Sequence, residues 1–150
     1  MGLTGKMERQ IELKSGGDLL HEIFKSKPHH VSGITPAKVQ GCSLIQGEWG
    51  KNGSIICWNY THDGKEKTAK QVIEVFDGEK KTIVFRIIEG DLLQLYKTFI
   101  ILLHEETKGG KNWATWAFDY EKLGPDVEDP VSLLDYLTDV VKDIDAHHSK

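Results

Sequence analysis

Glu66-Lys67-Thr68-Ala69-Lys70-Gln71-Val72-Ile73-Glu74-Val75-Phe76-Asp77-Gly78-Glu79-Lys80-Lys81-Thr82-Ile83-Val84-Phe85-Arg86-Ile87-Ile88-Glu89 decides the fold class. Two runs with a period of two flank an Asp-Gly pair. Successive side chains of a strand point to opposite sides. Ala69, Gln71, Ile73 and Val75 therefore share one face, as do Ile83, Phe85 and Ile87. Glycine accepts the positive φ of tight hairpin turns, so Asp77-Gly78 reads as the turn between two antiparallel strands.

The same pattern extends outward. Strands are predicted over Lys38 to Gln46, Ser54 to Thr61, Glu66 to Phe76, Lys81 to Glu89, Tyr96 to Glu105 and Asn112 to Lys122. Asp63-Gly64 and Gly109-Gly110 supply further turns. Consecutive strands joined by tight turns imply an antiparallel meander. Within it, Tyr96, Thr98, Ile100 and Leu102 fall on one face, and so do Ala114, Trp116, Phe118 and Tyr120.

Upstream, Leu3 to Lys14 alternates loosely as another strand, broken by Ser15-Gly16-Gly17. Asp18 is placed to cap a short helix through Lys25, with Leu19, Leu20, Ile23 and Phe24 at helical spacing. Pro28 ends it, and His29 to Ile34 has room for one more turn. Downstream, after Gly124-Pro125 and Asp129-Pro130, the period becomes helical. Val131, Leu133, Leu134, Leu137, Val140, Val141 and Ile144 form one apolar stripe about four turns long. Asp135, Asp139, Lys142, Asp143 and Asp145 fill the opposite face. A long antiparallel sheet curls, and a helix across its mouth buries the stripe and the concave face together. The class is α+β. Whether that interior is solid or hollow is open from periodicity alone.

The 150 residues suit one domain over 1–150, with 39% hydrophobic and 28% charged residues. Net charge is -4, and Arg9 and Arg86 are the only arginines, which argues against a nucleic-acid partner. No stretch approaches the roughly 20 apolar residues of a membrane span. The first residues show no secretory signal, so a reducing cytoplasmic location is expected, with Cys42 and Cys57 as free thiols. These two lie on strands flanking the glycine loop, as near neighbours across a hairpin.

Gly47-Glu48-Trp49-Gly50-Lys51-Asn52-Gly53 mimics a phosphate loop. It lacks the Ser or Thr after Gly-Lys, and a strand follows where a phosphate loop opens a helix. The seven histidines include no HExxH, and neither cysteine belongs to a Cys-x-x-Cys, so no metal is expected. Glu105 and Glu106 point to opposite faces of a strand and do not pair as acid and base. No Gly-x-Ser-x-Gly elbow occurs. No cofactor is implied.

Four stretches, taken together, are specific. They are Gly17-Asp18-Leu19-Leu20-His21-Glu22-Ile23-Phe24, Gly47 to Ile55, Ile87-Ile88-Glu89-Gly90-Asp91, and Trp116-Ala117-Phe118-Asp119-Tyr120-Glu121-Lys122. Through them the whole chain resembles the plant major latex proteins, within the superfamily of the birch pollen allergen and the pathogenesis-related class-ten proteins. The resemblance implies a helix-grip, START-like fold. In it a seven-stranded antiparallel curved sheet surrounds a long C-terminal helix, two short helices close one end, and the interior is a hydrophobic cavity.

It further implies a monomer that binds and carries a small hydrophobic ligand of sterol, flavonoid, fatty acid or hormone type, linked to plant defence and stress responses. On that expectation the cavity measures at least several hundred Å³. Ile73, Ile83, Phe85, Ile87, Ile100, Trp116 and Phe118 line its sheet side, and Leu134, Leu137 and Val141 its helix side. Gln71, Tyr96 and Thr98 orient a polar ligand group. Phe24 and Val31, with the loop after Glu89, form the entrance. A few superfamily members catalyse a condensation with a lysine and acids in the cavity. The inward faces here carry no lysine, so no catalytic residue is transferred. Rival readings are an enzyme acting on a plant secondary metabolite and a ligand-gated interaction module.

Calorimetry with ATP is expected to show no saturable micromolar binding at Gly47 to Gly53, and Lys51→Ala to change nothing.

Overall fold

The alternation of period two becomes one antiparallel sheet of seven strands, ordered β1-β7-β6-β5-β4-β3-β2. The computed structural model describes residues 3–15, 19–77 and 81–148. The elements are β1 (Thr4–Leu13), α1 (Leu19–Ser26), a 3-10 turn (Pro28–His30), α2 (Val31–Ile34), β2 (Val39–Gln46), β3 (Ile55–His62) and β4 (Lys65–Asp77). They continue with β5 (Lys81–Gly90), a 3-10 turn (Asp91–Gln94), β6 (Tyr96–Lys108), β7 (Lys111–Lys122) and α3 (Val131–His148). From β2 to β7 the chain is a meander. β1 lies beside β7, and the short helices span the gap between β1 and β2. The curved sheet and the C-terminal helix form the helix-grip arrangement.

Two of the expected turns have the backbone their residues suggested. Asp63 and Gly64 have φ of 54° and 73°, and Gly109 and Gly110 have φ of 64° and 76°. Positive φ at both central residues matches the twist of the flanking strands. The expected cap Asp18 and the turn residue Gly78 lie outside the described residues. Gly90 ends β5 at φ 129°, where an added Cβ would strike the backbone of Thr68. Only glycine fits there.

One strand departs from the alternation read in the sequence. Pairing of β6 with β7 moves from Tyr96↔Lys122 to Thr98↔Glu121, a bulge of one extra residue. Beyond it every side chain changes face. Phe99, Ile101, Leu103 and Glu105 are buried, while Thr98 is exposed and Ile100 and Leu102 are half-buried on the outer surface. The expected grouping of Tyr96 with Thr98, Ile100 and Leu102 is corrected accordingly.

Inside the strand ends, Glu105 is 2% exposed. Its carboxylate accepts the amide of Leu20 at 3.2 Å and that of His21 at 2.7 Å. These are N-terminal N–H groups of α1, which no turn of the helix can satisfy. A strand carboxylate thus caps the helix from across the fold. The helix then buries Leu20, Ile23 and Phe24 against the end of the sheet.

Helix α3 buries Leu133, Leu134, Val140, Val141 and Ile144, while Val131 is exposed at its start. Asp145, expected on the polar face, is buried instead, because its carboxylate accepts the amides of Lys14 and Ser15 at 2.9 Å each. Burial pushes its carboxyl up, but those hydrogen bonds outweigh burial and hold it below the ordinary aspartate value.

Glu105→Ala is expected to lose about 2–3 kcal/mol in chemical denaturation, since two buried donors lose their acceptor, and Glu105→Gln about half of that. For Asp145 the native pKa is the lowered one, so its contribution is complete above the unfolded value of about 3.9 and disappears as pH falls through the native value. The stability difference between wild type and Asp145→Asn is therefore expected to stay constant from neutral pH to about 5 and to shrink below about 4.

Candidate functional site

Between the concave face and α3 lies a cavity of about 70 Å³. Phe85, Ile101 and Trp116 line it from the central strands, and Trp58, Tyr60, Ala69 and Gln71 from β3 and β4. Leu133, Tyr136, Leu137 and Val140 form the helix side. Phe24, Val31, Val39 and Leu92 complete the wall. Phe24, Val31 and Leu92, on α1, α2 and the turn after Gly90, occupy the region read as the entrance.

The volume corrects the expected several hundred Å³, and the cause is aromatic. The Phe24 ring lies 5.6 Å from Trp116, 6.0 Å from Trp58 and 6.2 Å from Phe85, centroid to centroid. These edge-to-face and tilted contacts fill the middle of the interior. What remains is smaller than the roughly 150 Å³ that accepts a benzene.

Of the residues expected to line a site, the structure brings Phe24, Val31, Gln71, Phe85, Trp116 and Leu137 to the cavity wall. Ile73, Ile83, Ile87, Phe118, Leu134 and Val141 are buried in the core beside it without reaching the wall. Tyr96 is buried too, but its hydroxyl donates to the Glu128 carbonyl at 2.7 Å, away from the wall. Thr98 and Ile100 sit on the outer face for the reason given above. The expectation did not include Trp58, Tyr60, Leu133, Tyr136 and Val140. The signal for the first two was present, since Ile56, Trp58 and Tyr60 alternate and are buried on one face of β3. On α3 the wall is the Leu133–Leu137–Val140 edge of the stripe, rotated from Leu134 and Val141.

The polar atoms of the wall are few. Trp58 Nε1 donates to Gln71 Oε1 at 3.0 Å. Trp116 Nε1 donates to the Leu137 carbonyl at 3.0 Å, and the Tyr136 hydroxyl to the Lys38 carbonyl at 2.6 Å. Burial raises the pKa of Tyr60, with Asp91 adding to it, and burial raises that of Tyr136, with Tyr60 adding to it. Both phenols stay neutral at physiological pH. Among the described residues no lysine, arginine, histidine or carboxylate belongs to the wall.

The glycine-rich segment connects β2 to β3 and opens a strand. Four of its amides are already engaged. Glu48 N donates to Ser54 Oγ, Lys51 N to the Glu48 carbonyl, Gly53 N to the Ile73 carbonyl and Ser54 N to the Lys51 carbonyl. A phosphate loop needs such donors free. Trp49 instead stacks on His29 at 4.3 Å, pinning the loop against the turn after α1.

Bulges at both ends of β2 alter the pairing of the cysteines. Cys42 lies opposite Trp58 on the inner face, whereas Cys57 lies opposite Ser43 on the outer face. Both are free thiols, and burial, then the neighbouring Cys57, pushes Cys42 up.

A second, open groove of about 630 Å³ runs between α1, α2 and the end of α3, lined in part by His29, His30, His147 and His148. Among the described residues no three His, Cys, Asp or Glu side chains are placed to hold a metal ion. Nor is any helix there long and apolar enough to cross a membrane.

A helix-grip fold with an apolar interior defines a protein class in which small molecules are held between sheet and helix. Residues 2–150 match the Pathogenesis-related protein Bet v 1 family, and the chain belongs to that family. It is 47% identical over 147 residues to MLP-like protein 31 of Arabidopsis thaliana, covering 97% of this chain and 86% of that one. Against MLP-like protein 34 of the same plant it is 44% identical over 146 residues, which is 96% of this chain and 46% of the relative, so it spans about half of that protein. The crystal structure of ginseng major latex-like protein 151 from Panax ginseng superposes with a TM-score of 0.96 at 48% identity, covering 99% of this chain and 100% of that one.

Proposed function

We propose that the protein binds and carries a small hydrophobic molecule in the cavity between the sheet and α3, acting as a monomer in the cytoplasm of a plant cell during defence or stress responses. The observation that supports this most is the wall itself: apolar and aromatic side chains from both layers, with two neutral phenols as the ionisable groups among the described residues. Burying a ligand against them yields roughly 25 cal/mol per Å² of apolar surface. A ligand of sterol or flavonoid size needs the space to widen. Leu92 sits on a four-residue turn, a segment too short to be stable alone, and is the part of the wall that yields.

An enzymatic role is the rival. Norcoclaurine synthase from Thalictrum flavum, in a structure with dopamine and hydroxybenzaldehyde, matches with a TM-score of 0.71 at 15% identity, a likeness of fold alone. An acid and a base converging in the cavity would favour that reading; among the described residues the wall carries two phenols kept protonated by burial and no lysine, histidine or carboxylate.

Titration with a fluorescent sterol or a neutral flavonoid is expected to quench or shift tryptophan emission, because Trp58 and Trp116 both stand in the wall. Leu137→Asp is expected to abolish that binding, since the carboxylate is desolvated against the wall. Leu137 is only half-buried by protein, so the control Leu137→Ala is expected to lose less than the roughly 2–5 kcal/mol of a fully packed leucine. Unchanged affinity in a folded Leu137→Asp variant would remove α3 from the site.

A further inference from the structure

We infer that the cavity selects uncharged ligands carrying a hydrogen-bonding group, an alcohol or a carbonyl, and rejects carboxylates, with Gln71 and Tyr60 as two separate points able to receive that group. This rests on the carrier reading and narrows its ligand class.

Most side-chain polar atoms of the wall are already used. Indole Nε1 can only donate, so the Gln71 atom facing Trp58 at 3.0 Å is the carbonyl oxygen, and the amide NH₂ is left over. Trp116 and Tyr136 have committed their single protons to the carbonyls of Leu137 and Lys38. Among the described residues neither the Gln71 amide nitrogen nor the Tyr60 hydroxyl has a hydrogen-bond partner. Both residues are in the wall, Gln71 at 5% and Tyr60 at 7% exposure. Trp58 and Tyr60 occupy alternate positions of β3 on its inner face, and Gln71 pairs with Ile56 on the adjacent strand, so these groups share one side of the cavity. Their free capacity is two donor hydrogens on nitrogen and one hydroxyl that can give or accept. An alcohol or carbonyl oxygen satisfies either point.

A carboxylate does not fit. Its charge would be buried where, among the described residues, no cation belongs to the wall, and an isolated buried charge is costly. Two lysines next to wall residues in the chain or across the sheet are engaged elsewhere. Lys38 Nζ lies 2.7 Å from Asp143 Oδ2, and Lys67 Nζ lies 3.2 Å from His62 Nδ1. The charge that acts on Tyr60 is that of Asp91, whose carboxylate accepts the Thr68 amide at 2.9 Å beside the wall residue Leu92. It is negative and repels an anion at the same place.

The test uses a matched pair of ligands on the intact protein. N-phenyl-1-naphthylamine, a neutral fluorophore, reports occupancy, and 1-octanol and octanoate compete for it. Octanol is expected to displace the probe at pH 7.5, with octanoate at least about 30-fold weaker. Octanoate is expected to recover as the solution is acidified and the acid becomes neutral. Tyr60→Phe, which removes one oxygen atom, is expected to weaken octanol about threefold to tenfold. Equal displacement by octanol and octanoate at pH 7.5 would overturn the inference and leave the carrier reading intact. Full octanol affinity in Tyr60→Phe would overturn the role of Tyr60. Failure of the probe and both competitors to bind would overturn the carrier reading and this inference with it.

Discussion

The carboxylate of Glu105 ties together the two parts of the molecule that sequence distance keeps apart. It comes from a central strand, is 2% exposed, and is held by the amides of Leu20 and His21, more than eighty residues earlier in the chain. A buried charge is tolerated only with such partners. The requirement is mutual, because an eight-residue helix has little stability of its own and its first amides need acceptors. Once the contact forms, α1 is fixed across the end of the sheet. Phe24 then reaches Trp58, Phe85 and Trp116, and that ring cluster sets how much empty space the interior keeps. The size of the cavity is therefore a consequence of where one carboxylate anchors one short helix.

The helix on the other side is positioned by similar long-range pairs. Arg9 of β1 bonds Asp135 near the start of α3, and the Lys14 and Ser15 amides take Asp145 near its end. On the opposite flank Tyr136 reaches the Lys38 carbonyl, and Lys38 and Thr35 share Asp143. Ties along both flanks fix the rotation of the helix about its axis. That rotation presents Leu133, Leu137 and Val140 to the cavity and sends Leu134, Val141 and Ile144 into solid core.

Much of the fold was legible in the sequence because its signals are local. Alternation marks strands, Asp-Gly and Gly-Gly mark turns, and a helical stripe marks α3. The site was legible only where local patterns extend to the wall, as for Phe24, Gln71, Phe85 and Trp116. It failed at β6, where one extra residue near Lys97 turns Thr98 and Ile100 outward; two polar residues after a tyrosine announce no bulge. It failed on α3, where a stripe of seven apolar residues is wide enough to have two edges. Which edge meets the cavity depends on partners 126 to 131 residues away in the chain. Tyr60 and Trp58 were a different case, since their alternation was readable but the inward faces were drawn from β4 to β7 alone.

The glycine loop shows how the same residues take their meaning from what surrounds them. In sequence its glycines and lysine suggest a cradle for phosphate. In the fold Ser54 Oγ donates to the Glu48 carbonyl at 2.8 Å and accepts the Glu48 amide at 3.0 Å, while Asn52 Oδ1 accepts the Val75 amide at 2.6 Å. The loop is thus closed on itself and stitched to β4. Gly47, at φ 92° against Ser54, has no room for a side chain. Trp49 then lies over His29, next to the turn that leads into α2. A rigid loop holding the turn before α2 limits how far Val31 can move. The four-residue turn bearing Leu92 has a looser anchorage, with Asp91 fastened to the Thr68 amide and Leu95 to the Leu92 carbonyl. Widening of the interior is therefore easiest on the Leu92 side, where the charge of Asp91 acts on Tyr60, one of the two residues with free hydrogen-bonding capacity.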